Sequence, residues 1–189
     1  MTATYHFSIV QGGTFNRTIT WKTRDTVIDP ERAVTDAVTN GTTTVTSATA
    51  NFVAGDVQRE VSGTNIPAGA YIVSRTNGTT IVISAAATAS GTGGTLTVLS
   101  TRRVDVTGYT AAMHVRRAAG AADTLASISN GSGITLGGVA GTLALSISSA
   151  ATAGIPAGRH SYDLKTTSGG GNVSYLLAGP FEGEGQGTT

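Results

Sequence analysis

Three histidines and eleven carboxylates are the ionisable groups of this 189-residue chain best suited to chemistry. His160, Ser161 and Asp163 together have the composition of a hydrolytic triad. Neighbouring residues of a strand point to opposite faces, so His160 and Ser161 cannot meet there as base and nucleophile. The G-x-S-x-G turn that presents a nucleophilic serine is also missing from the sequence. Zinc needs three or four converging ligands, and neither an H-x-x-x-H pair nor a close His/Asp cluster occurs. Strand parity sends His6 and His114 outward, while His160 shares a face with Tyr162 and Leu164. Asp56 with Glu60, and Asp29 with Glu31, are spaced as carboxylate pairs, but the D-x-D-x-D-G spacing of a calcium loop is absent. Both pairs are expected in solvated loops. Gly91-Thr-Gly-Gly94 and Gly169-Gly-Gly171 lack the spacing of a phosphate-binding loop and read as turns. Arg116-Arg117 closes a strand, as a solvated end or as part of an interface. The expectation is a protein that is not an enzyme, with no catalytic, cofactor-binding or metal-binding residue and no cofactor.

The composition agrees with that reading. Charged residues make up 12% of the chain, about half the usual share, and Thr, Ser, Ala and Gly together account for just over half of it. Twelve basic residues against eleven acidic ones leave a net charge of +1, so no global field gathers nucleic acid or anionic lipid. The absence of cysteine excludes disulfides and thiolate chemistry. No run of 18 apolar residues occurs, and the first twenty residues lack a basic segment followed by an apolar one. Synthesis in a cytoplasm without a signal peptide is expected, with neither membrane nor nucleic acid as partner.

The periodicity is two, which predicts an all-β protein. Tyr5, Phe7 and Ile9 alternate with His6, Ser8 and Val10. After Gly12-Gly13, Phe15, Ile19 and Trp21 share a side, which suggests an antiparallel hairpin with Trp21 in the core. Alternation returns at 109–117 (Ala111, Met113, Val115), at 142–148 (Leu143, Leu145, Ile147) and at 160–165 (Tyr162, Leu164). A strand at 173–178 follows a glycine turn, and one helical turn is expected at 149–154. Short Thr/Val-rich strands punctuated by glycine read as a sandwich or barrel rather than alternating strands and helices.

From about Ala33 to Leu99 the aromatic residues thin out to Phe52 and Tyr71. Strands are expected at 42–47, 59–63, 70–75, 79–85 and 94–100, with Asn77-Gly78 as a hairpin turn. The composition breaks at both borders suggest an insertion into a loop of a first domain. The expected organisation is an Ig-like or β-sandwich body at 1–32 plus 100–182, a small β-barrel-like or sandwich domain at 33–99, and a flexible tail at 183–189. Ile66-Pro-Ala-Gly and Ile155-Pro-Ala-Gly each lead into a strand, as shared turn chemistry or as a true repeat.

Two resemblances follow from these segments. FSIVQGGTFNRTITWK (7–22), VDVTGYTAAMHVRR (104–117), GITLGG with GTLALSISSAATAGIPAGRHSYDL (133–164) and NVSYLLAGPF (172–181) resemble a family of small tailed-bacteriophage virion proteins. That family is related to the N-terminal domain of baseplate upper proteins. The middle stretches, TTTVTSATANFVAGDVQREVSGTNIPAGAYIVS (42–74) and TTIVISAAATASGTGGTLTV (79–98), resemble a repeat of phage fibre and tail proteins. They depart from it at Gln58-Arg59, where a Gly-Lys step is usual.

The resemblance implies a structural component of a virion, a tail or baseplate accessory or adaptor subunit located in the virion. Its partners would be other virion proteins, with the chain itself present as a homo-oligomer or in many copies. Two alternatives stay open: a capsid decoration protein with the inserted unit facing outward, and a glycan-binding host-attachment module. The latter needs an exposed aromatic platform, for which Tyr109 and Tyr175 are the available residues. A glycan depolymerase would need a suitable carboxylate pair.

Overall fold

The computed structural model describes residues 3–185, and almost all of its regular structure is strand. The first strands are β1 (Ala3–Thr4), β2 (Phe7–Val10), β3 (Phe15–Thr20), β4 (Lys22–Arg24) and β5 (Arg32–Asn40). They are followed by β6 (Thr44–Thr46), β7 (Arg59–Gly63), β8 (Ile72–Asn77), β9 (Thr80–Ile83) and the long β10 (Ser90–Arg103). The last are β11 (Thr110–Arg116), β12 (Thr124–Asn130), β13 (Gly133–Leu136), β14 (Thr142–Ile147), β15 (Gly158–Thr167) and β16 (Val173–Glu184). The α-helix α1 (Ser149–Ala153) lies between β14 and β15, capped by the Ser148 hydroxyl, which accepts from the Ala151 N–H. The fold class is all-β, as the period-two alternation implies.

The strands form two sheets in two compact units, residues 1–21 with 106–189 and residues 22–105. The expected borders at 33 and 99 are therefore displaced outward. The cause is backbone pairing: Lys22, Thr23 and Arg24 lie opposite Arg103, Arg102 and Thr101 of β10, and Arg32 lies opposite Val98.

The nine-stranded sheet of the first unit runs β1-β16-β15-β11-β12-β13-β14-β3, with β2 also on β16. Phe7 on β2 and Phe15 on β3 belong to its opposite ends, yet their rings meet edge to face at 5.2 Å. The sheet is therefore rolled, with Phe7, Phe15, Tyr162 and Phe181 clustered inside. The alternation expected for β11, β14 and β15 is present: Met113, Val115, Leu143, Leu145, Ile147, Tyr162 and Leu164 are all buried.

The expected hairpin of residues 4–10 with 14–22 is not one. β2 pairs in parallel with β16, and β3 pairs antiparallel with β14. The connection between them is held as an arch by α1, because Thr152 Oγ1 donates to Gly13 O (2.7 Å) and Gln11 Nε2 to Ala153 O (3.1 Å). β2 and β3 thus meet through side chains instead of a ladder. The tail is also corrected: Gly183 and Glu184 are strand, opposite Ile9 and Val10 of β2. A glycine fits at 183 because a Cβ there would lie 2.6 Å from Pro156 O. Positions 186–189 of the expected tail lie outside the described residues.

The sheet of the second unit runs β4-β10-β5-β6-β9-β8, with β7 also on β10. Asn77 lies opposite Thr80, so the expected hairpin between β8 and β9 is present, but its two turn residues are Gly78 and Thr79, with Asn77 the last residue of β8. Phe52, Ile72, Ile81, Ile83, Leu96 and Val98 form its core. The sequence reading did not include β4, β5, β12 or β13. β4 is three exposed residues with two charges, β5 mixes Arg32 and Asp36 with short Ala-Val steps, and β13 adds only four residues.

Trp21 is half-buried, edge to face with Tyr109 at 6.0 Å, and not the buried anchor expected from parity. Its N–H donates to Gly141 O (2.7 Å), and the Val106 N–H donates to Gly138 O (3.1 Å). One turn therefore tethers both chain ends at which the first unit is interrupted. Two expectations follow. Replacing Lys22–Asp105 by a short Gly/Ser linker leaves a first unit that unfolds cooperatively in urea by circular dichroism; a disordered spectrum would contradict this. Phe181→Ala lowers its stability by about 3–5 kcal/mol. Trp21→Ala costs only on the order of 1–2 kcal/mol, since part of its ring remains in water.

Candidate functional site

The triad-like residues are held apart by the strand that carries them. His160 is buried on the inner face of β15, while Ser161 and Asp163 lie on the other. The His160 Nε2–H donates to Pro156 O at 2.8 Å, leaving a buried Nδ1 without a partner. Asp163 is bonded to Arg116 from the neighbouring strand, with His114 Nδ1 3.8 Å away. His6 lies 3.2 Å from Glu182, both well exposed. The Tyr162 hydroxyl donates to Tyr5 O (3.0 Å), and burial together with Tyr5 pushes its pKa up to about 12. It stays protonated at neutral pH. Arg117 lies against Asp123 at an exposed strand end.

The carboxylates expected in solvated loops are placed very differently. Asp56 has no exposed surface, and Asp29 and Glu60 are nearly covered. Arg32 grips both Asp56 oxygens, one at 2.7 Å from Nη1, and the Val53 N–H donates to Oδ2 at 2.8 Å. Arg59, 3% exposed, reaches Asp56 Oδ1 at 3.2 Å and donates to the carbonyls of Leu99 (2.8 Å) and Pro30 (2.6 Å). Arg102 forks onto Asp29 at 2.9 and 2.8 Å. Glu60 takes Lys22 at 2.7 Å and Arg103 at 3.3 Å, and Arg103 also covers the Tyr71 ring at 4.4 Å. Of the original pairs, only Glu31 stays exposed.

Burial pushes the Asp56 carboxyl up, but the Arg32 bonds, the Val53 N–H and the Arg59 charge outweigh it and hold the group below the usual range. The Arg102 fork holds Asp29 down in the same way. Asp29, Asp56 and Glu60 are each paired with arginine or lysine, and Glu31 stands apart from the network. The arrangement is structural. It ties β5, β7 and β10 to residues 25–31 by charge-assisted bonds. Gln58, in the departure from Gly-Lys, sits at φ 75°, a left-handed conformation that favours glycine. The neighbouring Arg59 supplies a planar fork where lysine offers a point charge.

Among the described residues no three His, Asp or Glu side chains gather as metal ligands, and no helix is long and apolar enough to cross a membrane. A shallow depression of about 510 Å³ beside Val106, Tyr109, Asn130 and Leu136 has no ionisable lining group except Tyr109. Two features were not singled out in the sequence. One is the tip of the loop between β4 and β5, where Val27 is 88% and Ile28 78% exposed. The other is an apolar groove of about 250 Å³ lined by Tyr5, Phe7, Ile19 and Leu177, with Arg17 and Thr18. A Val-Ile pair between Asp25 and Asp29 looks like a strand in sequence, and only the backbone shows that it is a turn.

Asp56→Asn leaves Arg59 buried with its charge partner lost, and costs about 3–5 kcal/mol in urea unfolding. Because Asp29 and Asp56 are depressed in the folded state, their stabilisation is present at neutral pH. It is lost as pH falls through and below the ordinary aspartate value of about 3.9. The urea midpoint of the second unit should therefore drop with acid, and drop less steeply in Asp56→Asn. Parallel pH profiles for the two proteins would contradict the assignment.

Compared with protein-family models and with curated proteins, the chain matches none.

Proposed function

We propose that the chain is a structural subunit of a tailed-phage virion, a tail or baseplate accessory or adaptor that acts by protein–protein assembly. The reading rests first on the resemblance of residues 7–22, 104–117, 133–164 and 172–181 to small phage virion proteins. The structural observation that supports it best is the open edge of the rolled sheet. β3 ends that sheet with β14 as its single partner, and Asn16, Arg17 and Thr18 are exposed along it. An unpaired edge is a template for another chain, and proteins that leave one open either guard it or use it. Here the edge is flanked by an apolar groove.

Asp25, Val27 and Ile28 add a second surface on the other unit, an apolar tip fixed by its own hydrogen bonds. Exposed apolar side chains on a rigid frame suit docking, because little conformational freedom is lost when they are covered.

Mass spectrometry of purified particles tests the reading. The chain should be present in a fixed, symmetric copy number, and the purified protein should leave polysaccharide and peptidoglycan intact. Absence from particles, together with measurable hydrolysis of a glycan, would overturn it.

A further inference from the structure

Along β10, the pairing partner changes from β4 to β5 between Thr101 and Val98. Arg24 lies opposite Thr101 and Arg32 opposite Val98, so residues 25–31 are expelled from a ladder that closes up behind them. The expelled loop is built, not slack. Asp25 Oδ1 accepts from the N–H groups of Val27 and Ile28, both at 2.9 Å, and the Asp29 N–H closes the turn on Asp25 O at 3.0 Å. Its base is clamped by Arg102 on the Asp29 carboxylate and by Arg59 on Pro30 O. The effect of this framework is to hold two large β-branched side chains almost wholly in water. Nothing within the second unit requires that exposure, and a surface of this kind marks a contact.

We propose that residues 25–31 of one copy dock in the apolar groove beside β3 of a second copy, joining copies head to tail. The groove offers Tyr5, Phe7, Ile19 and Leu177 to the Val27-Ile28 tip. At its mouth Arg17 lies over the Phe15 ring at 5.9 Å and has no carboxylate partner among the described residues. Beside the tip, Glu31 is exposed and has no cationic partner among the described residues. One unmatched charge of each sign thus borders each apolar surface, which sets orientation more than affinity. Tip and groove are different surfaces, so a docked pair keeps one of each free; such a contact propagates into a chain or closes into a ring. This deepens the assembly reading by naming the partner as a further copy of the same protein. A contact of this size is weak alone and gains strength from repetition in a particle.

Sedimentation velocity over a concentration series tests it, using wild type, Ile28→Asp, Thr18→Tyr and an equimolar mixture of the two variants. Both substituted positions are exposed, and melting curves serve as the control that each variant is folded. Wild type should sediment faster as concentration rises, and each variant should self-associate at least about tenfold more weakly. In the mixture, the intact tip of Thr18→Tyr meets the intact groove of Ile28→Asp, so heterodimers should form and nothing larger. Ile28→Asp added to wild type should shorten its assemblies, which gives a readout independent of Thr18→Tyr. A wild type that stays monomeric to its solubility limit overturns the inference, as do variants that associate like wild type or a mixture that grows past dimers. A monomeric protein that is nevertheless multi-copy in particles would sink this contact and leave the assembly reading standing.

Discussion

A carboxylate with no exposure to water, Asp56, sits between two arginines, and the second unit is organised around satisfying it. An isolated buried charge is prohibitively costly, so the chain must bring Arg32 and Arg59 to it and then satisfy their remaining N–H groups. That requirement sets the positions of β5 and β7, which carry the arginines. It also draws in the carbonyls of Leu99 on β10 and of Pro30 in the expelled loop. The network is a set of geometric constraints more than a source of net stability, since burying ions roughly cancels what pairing them returns. Its product is a loop whose tip is held where hydrophobicity alone would not leave it.

The first unit reaches order by the opposite route. Its rolled sheet encloses an aromatic cluster drawn from both of its ends, so Phe7 and Phe15 complete the core without any ladder between their strands. The arch that allows this is fixed by Thr152 and Gln11 against Gly13 and Ala153, a few polar bonds at one end of the roll. Leaving β3 unpaired on its outer edge is the consequence. One unit therefore presents an open edge with an apolar groove, and the other presents a stiffened apolar tip. Both are surfaces left open within their own unit.

The strands of the first unit were legible wherever one face is core and the other water, as at Met113–Val115 and Leu143–Ile147, because side-chain alternation is a local property. Pairing is not local. The segments 7–10 and 15–20 have the alternation and the glycine turn of a hairpin, and partners more than a hundred residues away, β14, α1 and β16, make them an arch. The same limit hid the ion network. Asp29 and Arg102 are 73 residues apart, and Asp56 and Arg32 are 24 apart, so each acid looks solvated in its own segment. Gln58, at φ 75°, and Arg59 place a strained residue and a forked cation at the centre of the network. In the tail, glycine reads as slack, whereas at Gly183 it answers the close approach of Pro156 O. Trp21 shows that parity fixes a face and not a depth.

The central claim is that the buried arginine–carboxylate network holds residues 25–31 as a rigid projection. Hydrogen–deuterium exchange of a peptide covering that loop tests it most directly, in dilute wild type and in Asp56→Asn under conditions where both are folded. The account predicts slow exchange at Val27, Ile28 and Asp29 in wild type, whose N–H groups are all bonded to Asp25, and clearly faster exchange in the variant. Exchange as fast as in an unstructured peptide in wild type, or an identical rate in both proteins, would contradict it.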